Sequence, residues 1–502
     1  MQTIQAIDYA AIAPPVLLAL AAIAVLFADA FLPPWRRAAV GYGALAGVLV
    51  TLAATALLAA DVVGDGAGQP RRTFCLPGDG TPACSYVVDE FTVLVQLVML
   101  VAAVVVVLIA LAEVRDTRLP AGEFHFLLLA ALAGALALAA ARDLITLVVC
   151  LEVVSLPVFA LAALRRYDGR SSEAGLKMFL VSVVSTAVML FGISLVYGTT
   201  GAMHLERISA ALAQPSAIAT AARPVAAVGV VLVLVGFGFK ISAVPFHFWA
   251  PDTYRGSPIA VAAFLSVVSK MAGFAGLVLV LVVGFAPYAT VWGPLLAVLA
   301  AASMTAGNLV ALRQRSAVRL LAWSSIAQAG YILAPLGAAA GLGGRAPREL
   351  VAATIGYLAI YAVMNIGAFA VVGFAGRDAD LDDYRGLVHT HPLISVALAF
   401  FLACLAGLPP GLAGLFAKIV VFRATVSAGY GWLAVLMAVN TVIGLYYYLA
   451  WASRLFTPPT ADAVAEPRVA VARPVAVAIG VAAAGTVLLS VVPQLVLGIS
   501  PG

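Results

Sequence analysis

Apolar runs of roughly membrane length, separated by short polar breaks, repeat along nearly the whole chain. Marking them predicts fourteen spans, near 13–32, 38–60, 90–112, 124–141, 143–164, 176–198, 224–248, 258–284, 291–312, 318–338, 350–375, 392–425, 430–456 and 474–497. A crossing needs ~20 predominantly apolar residues. The twelfth run is too long for one straight crossing, and Leu408-Pro409-Pro410-Gly411 interrupts its middle. Two consecutive prolines remove two backbone donors and clash with the preceding turn. The seventh run is interrupted by Pro245, shortly after Lys240. Span 7 is fourth in the block 4–8 and span 12 is fourth in the block 9–13. Because five is odd, the second block is inverted relative to the first. Broken spans at matching places in two halves point to an inverted-repeat transport fold with its ion path at the breaks. The predicted architecture is therefore an all-α polytopic membrane protein. Residues 1–120 carry spans 1–3, 121–290 and 291–456 the two five-helix repeats, and 457–502 the last span.

Composition excludes a string of soluble domains. Hydrophobic residues make up 64% and charged residues 10% of 502, where soluble chains carry roughly 25% charged. Fourteen spans would use ~280 residues, leaving little for an extramembrane domain. The net charge of +5 is dispersed through short loops, so it reads as a topology determinant and not as a nucleic-acid surface. With the N-terminus outside, loops after odd-numbered spans carry 17 Lys or Arg residues and the opposite loops eight. The bias predicts both termini outside. Residues 1–13 carry only Asp8 as a charge, so the first run reads as a retained span and not a signal peptide. Trp35, Trp249, Trp292, Trp432 and Trp451 fall near predicted span ends, as interfacial aromatics do. Cys150 and Cys404 lie inside apolar runs as small core residues. Cys75 and Cys84 share one polar loop, open to a disulfide if that loop faces an oxidising compartment. No cysteine or histidine cluster suggests a metal or iron–sulfur site.

The candidate chemistry lies in charges inside the apolar runs. Of four lysines, Lys240, Lys270 and Lys418 are within spans, whereas the 24 arginines keep to span ends and loops. Arginine stays protonated, while a buried lysine can release its proton. A path for H+ needs the second kind of group. A charge at the bilayer centre costs at least ~2.5–3.5 kcal/mol, so three of them require a function. Glu152, the one carboxylate near the middle of a span, is the expected counter-charge of Lys240; the competing reading is a static bridge between spans 5 and 7. Ser266, Ser269, Lys270 and Gly273 share a face of span 8, and Ser324, Ser325, Gln328 and Tyr331 a face of span 10. Tyr357, Tyr361 and Asn365 step along span 11, with Asn440 and Gly444 on span 13. Singly, such residues make helix–helix hydrogen bonds; together with the lysines they form a candidate proton relay. His247 beside the break is a further titratable candidate. His125, His204, His389 and His391 are expected to be solvated.

Several runs carry a family resemblance. Cys150-Leu-Glu-Val-Val-Ser-Leu-Pro157, Ser171-Ser-Glu-Ala-Gly-Leu-Lys177, Phe239-Lys-Ile-Ser-Ala-Val-Pro-Phe-His-Phe-Trp-Ala-Pro-Asp252, Ala263-Phe-Leu-Ser-Val-Val-Ser-Lys270, Leu320-Leu-Ala-Trp-Ser-Ser-Ile-Ala-Gln-Ala-Gly-Tyr331 and Leu405-Ala-Gly-Leu-Pro-Pro-Gly411 through Lys418 resemble the antiporter-like membrane subunits of respiratory complex I, over roughly residues 90–456. Lys270, where the sister L and M types usually show a histidine motif, and a chain that stops after span 14 resemble the N branch. The resemblance implies a proton channel in the bacterial cytoplasmic membrane, driven by quinone reduction elsewhere in an NADH–quinone oxidoreductase. Glu152 and Lys240 would be its switching pair, Lys270 its central relay and Lys418 its terminal lysine. It implies no cofactor in this chain, with NADH, FMN, iron–sulfur clusters and quinone in other subunits, and sister antiporter-like subunits and the bilayer as partners. Gln328 stands where relatives often have histidine, and Arg255 where an acidic residue is common. Other readings are a subunit of a multisubunit Na+/H+ antiporter, a membrane scaffold with inert charges, and a solute carrier binding at its broken helices.

Overall fold

The computed structural model describes residues 7–33, 36, 38–63, 69–76, 83–117, 119–214, 222–342, 348–458 and 471–497. Trp35 lies outside these residues. Among the described residues thirteen helices are long and apolar enough to cross a membrane, and a broken pair completes the fourteen. Spans 1–6 are Tyr9–Phe31, Ala38–Val63, Glu90–Thr117, Ala121–Ala140, Leu144–Ala162 and Gly169–Thr200. Span 7 is Arg223–Lys240, a break over 241–248, and the short helix Trp249–Gly256. Spans 8–11 are Ile259–Gly284, Ala286–Ala311, Ala317–Gly341 and Arg348–Ala375. Span 12 is Pro392–Ala406 followed by Leu412–Ser427; spans 13 and 14 are Gly431–Phe456 and Arg473–Val491.

Polar sequence explains where the apolar runs misjudged the ends. Span 6 begins seven residues before the predicted start, because Asp168 accepts from the N–H groups of Arg170 and Ser171 and so starts the helix inside a polar stretch. Such a cap satisfies donors that a helix start leaves free. Span 8 begins on a carboxylate from another helix: Glu113 accepts from the N–H groups of Ile259 and Ala260 while it pairs with Arg165. An anion at a helix N-terminus complements the positive end of the dipole.

Two faces are well separated. On one, the strands β1 (Arg71–Cys75) and β2 (Cys84–Val88) form an antiparallel hairpin closed by the Cys75–Cys84 disulfide. This hairpin is the one departure from an all-α chain among the described residues. Asp8 caps span 1 and pairs with Arg71 at 2.9 Å, which ties the first helix to the hairpin. The hydrogen bond from Arg71 holds the Asp8 carboxyl below its ordinary pKa, so the tie stays ionised until pH falls below the usual carboxylate range. Arg142 reaches Asp89 at 2.8 Å on the same face, with both side chains nearly enclosed. The end of span 14 also lies here, since Leu497 packs on Gly356 near the start of span 11. The opposite face is laced by Arg377–Asp168, Arg170–Asp378 and Arg454–Asp382, and by Asp252, which takes both Lys177 and Arg319. Span 7 runs from the hairpin face to this second face, where the Gly256 carbonyl accepts from Arg377. Span 12 starts from the second face and runs back. The two broken spans therefore point in opposite directions, as inverted blocks require.

Two expectations fail here. Trp249, Trp292 and Trp451 are fully buried and are not interfacial anchors; Trp249 and Trp292 donate to the carbonyls of Phe239 and Phe285, and Trp451 packs edge-on against Tyr384. Trp432 alone of the described four is exposed. His125 is not solvated but buried, its Nδ1 at 2.8 Å from the Ala121 carbonyl, because span 4 begins three residues earlier than its apolar run.

Removing one partner of an enclosed ion pair strands the other. Asp89→Asn should therefore destabilise the protein by ~3–5 kcal/mol, read as a clear drop in the thermal unfolding midpoint in detergent. Arg385→Ala, which breaks a largely exposed pair with Asp382, should change it by no more than ~1 kcal/mol.

Candidate functional site

The two breaks and the buried lysines form one polar belt through the molecule. Lys240 ends the first half of span 7. Beyond it, Ser242 is a buried non-glycine residue at φ 59°, a left-handed conformation rarely populated outside glycine. The turn is held by Ala243 N–H on the Gly238 carbonyl, and by Ser303 of span 9, whose hydroxyl accepts from the Val244 N–H at 2.9 Å. The Lys240 ammonium donates to the Ser155 hydroxyl of span 5 at 2.8 Å. Glu152, one turn earlier on that helix, accepts from the Thr186 hydroxyl of span 6 at 2.7 Å.

Glu152 and Lys240 thus share a helix neighbour but do not form the expected direct pair; no carboxylate lies within 4.0 Å of Lys240, Lys270 or Lys418 among the described residues. Glu152 still attracts Lys240 through space. Serine intervenes because Glu152 and Ser155 point from adjacent turns of span 5, and the shorter side chain sits nearer the lysine.

Lys270 follows a π-helical turn, Leu265–Ser269, in the middle of span 8. Such bulges often occur at functional positions, and no residue type marks this one in the sequence. The extra residue rotates the following turn, and the Lys270 ammonium reaches the Ser325 carbonyl at 2.6 Å and its hydroxyl at 3.0 Å. One turn further on, Gly273 leaves room for the Lys240 stem: a Cβ there would lie 2.8 Å from the Lys240 Cγ. The absence of a side chain at 273 lets the first two lysines approach across spans 7 and 8.

The second break exposes the carbonyl end of Pro392–Ala406, and side chains fill it. The Ala406 carbonyl accepts from Lys418 at 2.6 Å, and the Leu405 carbonyl from the Gln328 side-chain amide at 3.3 Å. The last four carbonyls of a helix lack partners within it and carry the negative end of its dipole. Sequence spacing predicts Lys418 roughly 12 Å beyond the prolines at ~1.5 Å per residue. Its ammonium instead returns to the break, because helical side chains tilt toward the N-terminus and Leu412–Ser427 starts only after Gly411. The ammonium also lies 5.4 Å from the Tyr331 ring centroid, a cation–π contact.

Gln328 is the junction between the second and third lysines. It lies one turn from Ser325, accepts from the Tyr357 hydroxyl, and donates toward Tyr448 as well as Leu405. Tyr448 pairs with Ser324, and Tyr331 stacks parallel to Tyr357. Tyr331 continues to Thr441 at 3.1 Å. Asn308 connects Asn440 and Tyr447, against Gly444, where a Cβ would lie 3.3 Å from the Asn308 amide oxygen. Asn365 and Tyr361 go instead to Ser266, within the π turn. Tyr447, Tyr448, Asn308 and Ser155 were not singled out among the candidate relay residues. Tyr447, Tyr448 and Asn308 lie on helix faces whose neighbours are set only by packing; Ser155, at i+3 from Glu152, was recoverable from helical spacing. His247 is buried beside Trp323, with its Nδ1 unpaired. Arg255 lies on Trp249–Gly256 at the second face, away from the lysines. Among the described residues no cluster of acidic, His and Cys side chains fits a metal ion.

A membrane-spanning helical protein with opposed broken helices and three enclosed lysines on neutral oxygen acceptors is the class that this arrangement defines. Residues 141–444 match the family described as NADH:quinone oxidoreductase/Mrp antiporter, TM. A protein of Streptomyces griseus named NADH-quinone oxidoreductase subunit N 2 is 54% identical over 98% of this chain and 93% of its own. NADH-quinone oxidoreductase subunit N of Trichlorobacter lovleyi is 35% identical over 99% of this chain and 97% of its own. A chain of respiratory complex I from Thermus thermophilus superposes with a TM-score of 0.76 at 32% identity, covering 96% of this chain and 98% of that one. A chain of the Mrp complex from Dietzia shares the fold, with a TM-score of 0.80 at 21% identity over 97% and 96% of the two chains. The chain belongs to the NADH:quinone oxidoreductase/Mrp antiporter transmembrane family, and within it is like the subunits N.

Gly407 separates two contributions to the site. It has φ 77°, and a Cβ would lie 2.8–3.3 Å from the Lys418 Cδ, Cε and Nζ atoms; Gly429 has φ 82° with nothing near. Gly407→Ala and Gly429→Ala should each cost ~1–2 kcal/mol for left-handed backbone. Only Gly407→Ala should also displace the ammonium from Ala406 and reduce proton transfer. Equal proton transfer in the two variants would remove the claimed coupling between Gly407 and Lys418.

Proposed function

We propose that the chain moves protons across the membrane as the N-type antiporter-like subunit of an NADH–quinone oxidoreductase, with quinone reduced elsewhere in the complex. The supporting observation is three enclosed lysines on neutral hydroxyl and carbonyl acceptors, with Gln328 and its tyrosines between the second and third and no direct carboxylate partner among the described residues. An ammonium held by neutral oxygens has no fixed anion in contact to favour its charged form. Each lysine can therefore pass a proton and recover one as the field around it changes. Glu152, one turn from the Ser155 that holds Lys240, sets that field at the first lysine without direct contact. Lys270 receives from the first half of the path, and Ser325, Gln328 and the tyrosines connect it to Lys418. The carbonyl end of Pro392–Ala406 receives the Lys418 ammonium at the second break.

Residues 121–290 and 291–456 act as two half-channels, each organised by its broken span. The hairpin and both termini face outward, in agreement with the Lys and Arg bias of the opposite loops. FMN, iron–sulfur clusters and the quinone site belong to other subunits, and sister antiporter-like subunits flank this one in the bilayer.

If titration is the role of Lys418, Lys418→Arg and Lys418→Ala should both lower NADH-driven proton uptake in inverted vesicles on the order of tenfold, ~1.4 kcal/mol in barrier. Arginine keeps the charge and withholds the proton. Wild-type uptake by the Lys418→Arg complex would reduce Lys418 to a fixed charge. The link from Glu152 to Lys240 is tested by a double-mutant cycle of Glu152→Gln with Ser155→Ala. Coupled groups should give non-additive losses, whereas strictly multiplicative losses would sever them.

A further inference from the structure

A large cavity lies outside the proton path. It measures about 1140 Å³ and sits at the face opposite the hairpin, among the ends of spans 1, 3 and 5 and the starts of spans 2, 4 and 14. That level is where helices leave the apolar slab, the depth of lipid headgroups. Some charges in its lining are already matched: Arg115 with Asp116, Arg165 with Glu113, and Asp168 with Arg377. Four are in no ion pair among the described residues, the cations Arg166 and Arg473 and the anions Asp29 and Glu123.

The inner end of the cavity is built around Asp29 and His125. Gly122 lets Asp29 lie flat on span 4, since a Cβ there would fall 2.5–2.8 Å from its Cβ, Cγ and Oδ2 atoms. One Asp29 carboxylate oxygen is buried with no hydrogen-bond partner. His125 is 1% exposed; its Nδ1 meets the Ala121 carbonyl, so a neutral ring presents Nε2 as an acceptor, and that atom too is buried and unpartnered. Buried polar atoms left unpaired cost free energy and call for a partner.

We infer that this cavity binds the headgroup of a phosphatidylethanolamine-type membrane lipid, its phosphate on Arg166 and Arg473 and its primary ammonium on Asp29, Glu123 and His125. The unmatched charges are two of each sign, which suits a dipolar headgroup better than a purely anionic one. Arginine binds phosphate oxygens through paired N–H groups. A primary ammonium supplies three N–H donors for the two carboxylates and the imidazole nitrogen; a choline headgroup has none to give. Spans 1 and 2 are mostly exposed on this chain, so acyl chains can extend along them.

The test uses the membrane complex containing the full chain, purified from nanodiscs of equal parts phosphatidylethanolamine, phosphatidylglycerol and phosphatidylcholine. Tightly retained lipid is counted by mass spectrometry against a complex lacking this subunit. Retention of phosphatidylethanolamine on the order of tenfold above the other two is expected, lost in the Arg166→Gln/Arg473→Gln variant. Asp29→Asn with Glu123→Gln should shift retention toward phosphatidylglycerol. Equal retention of all three lipids by the wild type, a measurement that needs no variant, would overturn the proposal. So would displacement by millimolar inorganic phosphate alone, which would make it a site for free phosphate, or a photo-crosslinker at Tyr42 capturing a neighbouring subunit in the cavity.

Discussion

An ammonium group taken from water into a protein interior loses several kcal/mol of solvation. The described structure encloses three without a carboxylate in contact. Everything around the belt serves to supply neutral acceptors at those places. Span 5 contributes a hydroxyl to Lys240, span 10 a carbonyl and hydroxyl to Lys270, and the first half of span 12 a carbonyl to Lys418. Neutral acceptors offset part of the desolvation cost while leaving the charged state without the large stabilisation an ion pair would bring. A direct Glu152–Lys240 pair would hold one proton firmly. With Lys240 on Ser155 and Glu152 on Thr186, the carboxylate stays out of direct contact with the lysine.

The broken helices supply what an unbroken span cannot. A continuous helix spends its carbonyls on its own backbone, and none would be open to Lys418 or Gln328. The prolines at 409 and 410 end that economy: Leu405 and Ala406 present their carbonyls to side chains from elsewhere. Irregular backbone at membrane depth is tolerated only where it is enclosed by protein or lines a polar cavity; at this break Gly407 and Gly411 are buried, while the two prolines and Leu412 are exposed on this chain. In span 7 the break works differently. Its freed carbonyls are capped by Ile241, Ser242, Ala243 and Trp249, so Lys240 must look to span 5.

Much of this was legible in the chain because membrane-length apolar runs, paired prolines and lysines within spans are local signals. The positions of Lys240, Lys270 and Lys418 needed no structure to be chosen, nor did the opposed direction of spans 7 and 12. What escaped depends on register between distant helices. The π turn before Lys270 is invisible to residue type, and Gly273 gains its meaning only from the Lys240 stem beside it. That the Lys418 ammonium bonds the Ala406 carbonyl could not be read from spacing, which counts backbone rise and not side-chain direction. Hydropathy likewise set Trp249, Trp292 and Trp451 at a boundary that tertiary packing closed over. The five-residue strands around Cys75 and Cys84 are too short to stand out as a hairpin.

The central claim is that protons pass through the lysine belt, with Lys270 as its middle carrier. The most direct measurement is the number of protons moved per NADH oxidised by purified complex in proteoliposomes, comparing wild type with Lys270→Met. Methionine fills the volume of the lysine stem and offers neither charge nor proton. The account predicts that the ratio falls, because the two halves of the path lose their connection. An unchanged ratio at an unchanged oxidation rate would contradict it and leave Lys270 as a buried charge with no part in transport.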